Sequence, residues 1–260
     1  MLHILSDYMR QISWQVRFGI SLVAISAILY LIHYGIFRDA YHLEIFGLSD
    51  VAFLPLEVLL VTLIIDRIIT NQEKRVLLQK LNMVIGTFFS DVGTQLLKSI
   101  SDFDPHIDRI RNALIITNEW SNQDFISASA RLKKYEYTIE LTERDPQALD
   151  LLEGLRTFLA VKKDSLMYLL ENPTLLEHES FTDLLWAITH VAEELAYRGD
   201  LRHLPGPDYD HLANDIKRAY SLLILEWLKY MEHLMDKYPY LFSLALRTNP
   251  FDLTARPEIT

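Results

Sequence analysis

The stretch FLPLEVLLVTLIIDRII, residues 53–69, is apolar enough for the interior of a lipid bilayer, yet it contains Pro55 and Glu57. A carboxylate near the middle of a bilayer costs at least about 2.5 kcal/mol. Extended back to residue 48, the segment is long enough to cross the hydrocarbon core. We interpret residues 48–69 as a transmembrane helix. The alternatives are an interfacial or re-entrant helix, or a buried helix of a soluble domain.

A second apolar segment precedes it, FGISLVAISAILYLIHYGIF, residues 18–37. A helix of twenty residues is about 30 Å long, which matches the thickness of the hydrocarbon core. The segment is too long for the apolar part of a signal peptide. We therefore predict a transmembrane hairpin over residues 18–69, with spans at about 18–37 and 48–69.

Basic residues flank these two spans unequally. The short connection contains only Arg38, whereas the outer flanks contain several basic residues: Arg10, Arg17, Arg67, Lys74 and Arg75. Positive charge is retained on the cytoplasmic side, so both termini are expected in the cytoplasm, including an amphipathic N-terminal helix over residues 1–17. Arg67, Lys74 and Arg75 are expected to contact lipid headgroups. The expected location is the inner (cytoplasmic) membrane of a bacterium.

The remainder of the chain has helical periodicity. Apolar residues recur at intervals of three and four from Leu77 to Ile100, and no proline interrupts residues 56–104. This pattern predicts a stalk helix over 70–102, a cytoplasmic helical bundle over 103–247 and a loosely ordered tail over 248–260. Helix starts are indicated by a capping residue before proline: Asp104-Pro105, Asp145-Pro146 and Asn172-Pro173. The predicted fold class is all-α.

Small residues line one face of the predicted stalk at Gly86, Ser90 and Gly93. Such a face allows another helix to approach closely, either from a second copy in a homo-oligomer or from the same chain. Because glycine disfavours a helix interior, the two glycines are also compatible with a break between the stalk and a first domain helix.

Polar groups within the two spans are candidates for an intramembrane site. Glu57 has three possible roles: a protonated side chain bonded to a neighbouring helix, a pore-lining group in an oligomer, or a proton- or ion-exchanging group. Pro55 frees a backbone carbonyl one turn earlier and can kink the helix. Tyr30 and His33 are expected to link the two helices, and Asp66 to cap a neighbour or join a ring of charges.

A weaker candidate is a metal site formed by Asp183, His190 and Glu194, which share one helical face. Only the i, i+4 pair of His190 and Glu194 has the spacing for joint coordination, and a metal site needs three or four ligands. A solvated acidic face explains the same pattern. We therefore expect no metal or other cofactor.

Composition and motifs exclude several classes of function. Cysteine is absent, which excludes disulfides and thiolate metal sites. Residues 71–260 contain 21 basic and 29 acidic side chains, and this excess of negative charge disfavours nucleic-acid binding. Phosphate-binding loops, dinucleotide fingerprints and nucleophile elbows are absent. The chain is therefore not expected to be an enzyme.

Two stretches, DRIITNQEKR (66–75) and YPYLFSLALRTNPFD (238–252), resemble an uncharacterised family of bacterial membrane proteins with two spans and a helical cytoplasmic domain. The resemblance implies this architecture and no activity. The expected function is a membrane-tethered scaffold or sensor that binds membrane lipids, forms a homo-oligomer and recruits an unknown cytoplasmic protein. The alternative is a homo-oligomeric cation channel with the second span lining the pore and Glu57 facing its axis.

Overall fold

The structure is a computed structural model that describes residues 14–38 and 40–258. Within these residues all regular structure is helical, which confirms the all-α fold class. The chain divides into two compact units, Met1–Gln72 and Glu73–Thr260. The amphipathic helix predicted over residues 1–17 lies largely outside the described residues.

The N-terminal unit consists of helix α1, Trp14–Phe37, and the first part of helix α2, Ala40–Phe88. A tight turn joins them at Arg38, which has a positive φ of 49° and whose amide donates to the Tyr34 carbonyl at 2.9 Å. The predicted connection between the spans is therefore mostly helical, because α2 begins eight residues before residue 48. The Tyr30 hydroxyl lies 3.4 Å from Asp50 Oδ2 and links α1 to α2.

Apolar side chains in this unit have little protein around them. Between residues 18 and 72 no side chain that the structure describes is buried, and 27 large apolar side chains are exposed. In the described part of the chain, one helix, Phe18–Ile36, is long and apolar enough to cross a membrane. The second predicted span, residues 48–69, does not meet the same criterion of length and apolar composition. It contains the charged residues Asp50, Glu57 and Asp66.

The C-terminal unit is a helical bundle around the long helix α8, Gly206–Lys237. Its other helices are α3 (Thr94–Ser101), α4 (Asp108–Arg111), α5 (Asn122–Leu132), α6 (Pro146–Leu170), α7 (Glu179–Tyr197) and α9 (Pro239–Arg247). Helices α3, α5, α7 and α9 pack against α8, while α6 packs against α3 and α7. Twelve residues of α8 are buried, so this helix forms the centre of the core.

The predicted boundary between stalk and bundle is wrong. Residues 81–100 contribute eight buried apolar side chains to the core of the bundle: Leu81, Ile85, Phe88, Phe89, Val92, Leu96, Leu97 and Ile100. The apolar stripe is therefore a core face within the C-terminal unit. A stripe of this kind has the same sequence pattern whether it contacts a second copy or its own domain.

A short π-helix, Phe89–Gly93, interrupts the regular winding between α2 and α3. The Thr94 amide and Thr94 Oγ1 both contact the Phe89 carbonyl, the latter at 2.9 Å. The extra residue in this turn allows the neighbouring rings of Phe88 and Phe89 to be buried together, with centroids 5.0 Å apart. Phe88 packs edge-on against Phe181, and Phe89 stacks on Tyr230.

The tail is ordered where we predicted a loose segment. Asn249 is buried and its amide donates to the Leu114 carbonyl at 2.8 Å. Phe251 is also buried and contacts Trp227 edge-on, with ring centroids 5.2 Å apart. The aromatic side chain anchors the tail, because its burial offsets the entropy lost on ordering the segment.

The three predicted helix starts have different outcomes. Asp145 caps α6 by accepting from the amides of Gln147 and Ala148. Asn172 caps only a 3₁₀ turn, Pro173–Glu177. Asp104 Oδ1 accepts from the His106 amide at 2.9 Å, as a cap does, but no long helix follows. The other carboxylate oxygen, Oδ2, accepts a tertiary hydrogen bond from the Tyr135 hydroxyl at 2.9 Å.

Candidate functional site

A cluster of imidazole and carboxylate groups lies where α7 packs against α8. His190 and Glu194 are one turn apart on α7, and His211 and Asp215 are one turn apart on α8. Residues four apart lie on the same helical face. The two helices run in opposite directions across the loop at 198–205, so each histidine faces the carboxylate of the other helix. We refer to these four residues as the His-carboxylate cluster.

The ligand atoms of the cluster lie close together. His190 Nε2 is 3.1 Å from Asp215 Oδ2, and His211 Nε2 is 3.3 Å from the same oxygen. Glu194 completes the group, since its Oε2 is 3.5 Å from His211 Nε2 and its Oε1 is 3.9 Å from His190 Nε2. Ligand atoms of His190, Glu194 and His211 all lie within 4.8 Å of one another.

Burial differs across the cluster. The histidine side chains are 40% and 51% exposed at His190 and His211, whereas that of Asp215 is only 13% exposed. Asp215 Oδ2 itself is buried and has no hydrogen-bond partner in the described part of the chain. The cluster is therefore open to solvent at its imidazoles and closed at its inner carboxylate.

Arg198, just after α7, organises one side of the cluster. Its Nη1 donates to Glu194 Oε2 at 2.6 Å, and its Nε and Nη2 hold the two oxygens of Asp208 at 2.8 and 2.6 Å. These hydrogen bonds hold the pKa of both the Glu194 and the Asp208 carboxyl below its ordinary value. On the other side, Arg218 lies 3.8 Å from Asp215 Oδ1.

Two of the three metal-site residues predicted from sequence belong to this cluster, namely His190 and Glu194. Asp183 does not, because it lies two turns earlier on α7. His211 and Asp215 were missed. The signal for them was a second histidine–carboxylate pair at i, i+4 in HLAND, residues 211–215, which the antiparallel packing of α7 and α8 brings opposite the first pair.

The residues predicted for an intramembrane site lie on exposed parts of α1 and α2. Pro55 is inside α2, and Glu57 is exposed and makes no hydrogen bond or ion pair within the described residues. The Tyr30 hydroxyl reaches Asp50 of α2, and His33 also has an interaction partner. Asp66 is exposed, as are the predicted collar residues Arg67, Lys74 and Arg75. The structure does not bring these groups together into one site.

The predicted small-residue face contacts the same chain. A Cβ placed on Gly86 would lie 3.8 Å from the Tyr230 ring of α8. A Cβ on Gly93 would lie 2.6 Å from the rings of both Phe88 and Phe89. Ser90, on the π-helix, is exposed and hydrogen-bonded to Tyr230. These positions allow close packing within the bundle, which was the intramolecular alternative.

Comparison with known proteins gives two matching family models. "MJ1433, N-terminal helical domain" matches residues 9–69, and "Uncharacterized protein MJ1433, C-terminal helical domain" matches residues 77–247. The uncharacterized protein MJ1433 of Methanocaldococcus jannaschii is 46% identical over 234 residues, which cover 90% of this chain and 92% of that protein. This relative is archaeal, so it does not support the bacterial origin implied by the resemblance. No solved structure matches.

Proposed function

Because the chain belongs to the uncharacterised MJ1433 family, we propose that its two family domains have separate roles in a membrane-tethered scaffold or sensor. The N-terminal domain anchors the protein in a membrane, and the C-terminal domain is the interaction module. The two family domains, residues 9–69 and 77–247, coincide closely with the two structural units, which meet between Gln72 and Glu73.

The observation that carries this proposal is the exposure of the N-terminal unit. Its 27 exposed large apolar side chains occupy two consecutive helices, and soluble monomers rarely expose contiguous apolar patches of more than a few hundred Å². Burying one such side chain is worth roughly 1.5–3 kcal/mol. Lipid removes these side chains from water without requiring any further protein.

The C-terminal unit has the opposite character. Its core includes fully buried large side chains from several elements, among them Phe88, Phe181, Tyr220 and Trp227. In such a core the apolar side chains shield one another from water, as expected of a domain that folds in water. The unit therefore has no need of a lipid environment, and it is suited to binding soluble partners at the membrane surface.

The proposed location is the cytoplasmic membrane, with both termini in the cytoplasm. This orientation follows from the excess of arginine and lysine outside the predicted connection. Arg67, at the end of the apolar segment, and Lys74 and Arg75, just beyond it, are exposed on α2, and there they contact anionic headgroups. An unknown cytoplasmic protein is the proposed partner of the C-terminal domain, and the chain is proposed to self-associate.

A cation channel is the second candidate, and the exposure of Glu57 is the observation that favours it. The Glu57 carboxylate has no partner within the described residues. A hydrogen-bonding or charged partner for it must therefore come from lipid headgroups, water or another copy of the chain. A ring of such carboxylates would attract cations. The test is cation flux across liposomes that contain the protein. Flux in the wild type, with lower cation selectivity in Glu57→Gln, would favour the channel over the tether.

Extraction of isolated membranes with alkaline carbonate tests the anchoring role. The full chain is expected to stay in the membrane pellet, because its N-terminal helices are embedded in lipid. The fragment 73–260, which lacks them, should be recovered in the soluble fraction. Release of the full chain by carbonate would contradict the proposal, as would retention of the fragment in the pellet.

A further inference from the structure

We propose that the His-carboxylate cluster binds one divalent transition-metal ion through His190, Glu194, His211 and Asp215. This goes beyond the tether or sensor function and does not depend on it. The four side chains come from two helices of the C-terminal unit. Ligand atoms of His190, Glu194 and His211 lie within 4.8 Å of one another, and Asp215 Oδ2 lies within 3.3 Å of both imidazoles.

The spacing of the ligand atoms fits an ion. In a tetrahedral site whose ligands lie about 2.1 Å from the metal, neighbouring ligand atoms are about 3.4 Å apart. The four nitrogen-to-oxygen distances in the cluster are 3.1, 3.3, 3.5 and 3.9 Å. These distances bracket the expected value, but the two contacts of Glu194 come from different oxygens, so coordination through one Glu194 oxygen requires a rotation of its side chain.

The contacts at Asp215 fit an ion better than a hydrogen-bonded network. Two imidazole nitrogens lie within 3.3 Å of Asp215 Oδ2, yet this buried oxygen has no partner that meets hydrogen-bond geometry in the described residues. A buried carboxylate oxygen without a donor is destabilising, because it has lost its hydrogen bonds to water and gained none in the protein. A cation between the oxygen and the two nitrogens removes this cost, because it bonds to the lone pairs of all three atoms.

The surrounding charges also favour a cation. Glu194 and Asp215 bring two carboxylates to the cluster, and each has one arginine partner. Arg198 contacts Glu194 Oε2, the oxygen that also lies 3.5 Å from His211 Nε2, whereas Oε1 lies 3.9 Å from His190 Nε2. Arg218 approaches Asp215 Oδ1 rather than Oδ2. These arginine contacts orient the carboxylates, as second-shell groups do in metal sites.

The donor set indicates the class of ion. Two imidazoles with two carboxylates suit Zn²⁺ and neighbouring first-row divalent ions, whereas Mg²⁺ and Ca²⁺ prefer oxygen ligands throughout. The half-exposed histidines provide a route for the ion from solvent. Binding would tie α7 to α8 across the loop at 198–205, and so it would stabilise the centre of the bundle.

Titration of the metal-free full chain in detergent with zinc chloride tests this inference. We expect one Zn²⁺ per chain by calorimetry at pH 7.5 and a thermal midpoint that rises with zinc concentration, since the ion binds the folded state. His211→Gln should weaken binding at least about tenfold, the smallest effect found for groups that only support a ligand. Because the His211 side chain is half-exposed, this variant should keep the wild-type fold, which circular dichroism checks.

The matched control is His203→Gln, which removes an exposed histidine paired with Asp200 outside the cluster. This variant should bind zinc like the wild type. Asp215→Asn, which keeps the shape of the buried side chain, should lose the zinc-dependent rise in thermal midpoint. Absence of zinc binding by the wild type would overturn the proposal, as would equal zinc affinity in the wild type and His211→Gln. In either case the cluster would be a set of histidine–carboxylate ion pairs.

Discussion

At the scale of single residues, the packing around the π-helix depends on Gly93. The rings of Phe88 and Phe89 lie over this glycine so closely that any Cβ would be 2.6 Å from each. Both rings are buried and held by further aromatic contacts with Phe181 and Tyr230, so neither is free to move aside. Glycine is therefore required at position 93 because the neighbouring rings leave no room for a side chain. The backbone does not require it, since Gly93 has right-handed helical dihedral angles.

Gly93→Ala should destabilise the protein by about 1–3 kcal/mol, the usual cost of overpacking a filled core. The matched control is Gly154→Ala on the exposed face of α6, where a Cβ would meet nothing within 4 Å. That variant should be neutral or more stable by about 0.4–1 kcal/mol, because alanine restricts the unfolded chain. Denaturant unfolding of the two variants in detergent measures the difference, and equal stabilities would contradict this packing.

Two of the four residues of the His-carboxylate cluster, His190 and Glu194, were predictable from the sequence. The i, i+4 spacing of His190 and Glu194 places both side chains on one face of any helix. Their partners, His211 and Asp215, are separated from them by a loop, and only the packing of α7 on α8 brings them into reach. Periodicity describes each helix separately, so it contains no information on which faces meet.

At the scale of elements, the helices themselves were largely predictable. The start predicted at Asp145-Pro146 is the observed start of α6, and the start predicted at Asn172-Pro173 begins a 3₁₀ turn. The boundary at residue 102 was not predictable, because an apolar stripe fits either an oligomer contact or a domain core. The order of the tail was not predictable either, because it depends on a contact between residues distant in sequence. The Phe251 ring packs against that of Trp227.

The position of the true domain boundary predicts the behaviour of two fragments. Residues 73–260 include all the buried side chains of the bundle and should unfold cooperatively in circular dichroism. Residues 103–260 lack eight of these apolar side chains, each worth roughly 1.5–3 kcal/mol when buried. That loss, about 12–24 kcal/mol in all, is comparable to or larger than the stability of 5–15 kcal/mol typical of a domain, so this fragment should not fold. A cooperative unfolding transition of the fragment 103–260 would contradict this boundary and support the one predicted from sequence, between residues 102 and 103.

At the scale of the whole molecule, the chain combines two units with opposite surfaces. The unit Met1–Gln72 presents apolar side chains outward in its described residues, whereas the unit Glu73–Thr260 buries most of its own apolar side chains in a core. The central claim is that the first unit crosses the membrane twice and leaves the second in the cytoplasm. The charge distribution along the sequence supports this orientation, and α1 has the length and composition of a span.

Reporter fusions at residue 43 and at the C-terminus test this claim most directly. Residue 43 lies near the turn between α1 and α2, so a fusion there should be active only outside the cytoplasm. A fusion after residue 260 should give a cytoplasmic signal. A cytoplasmic signal from both fusions would mean that the first unit does not cross the membrane, and an external signal at the C-terminus would reverse the orientation. Either result would contradict the account.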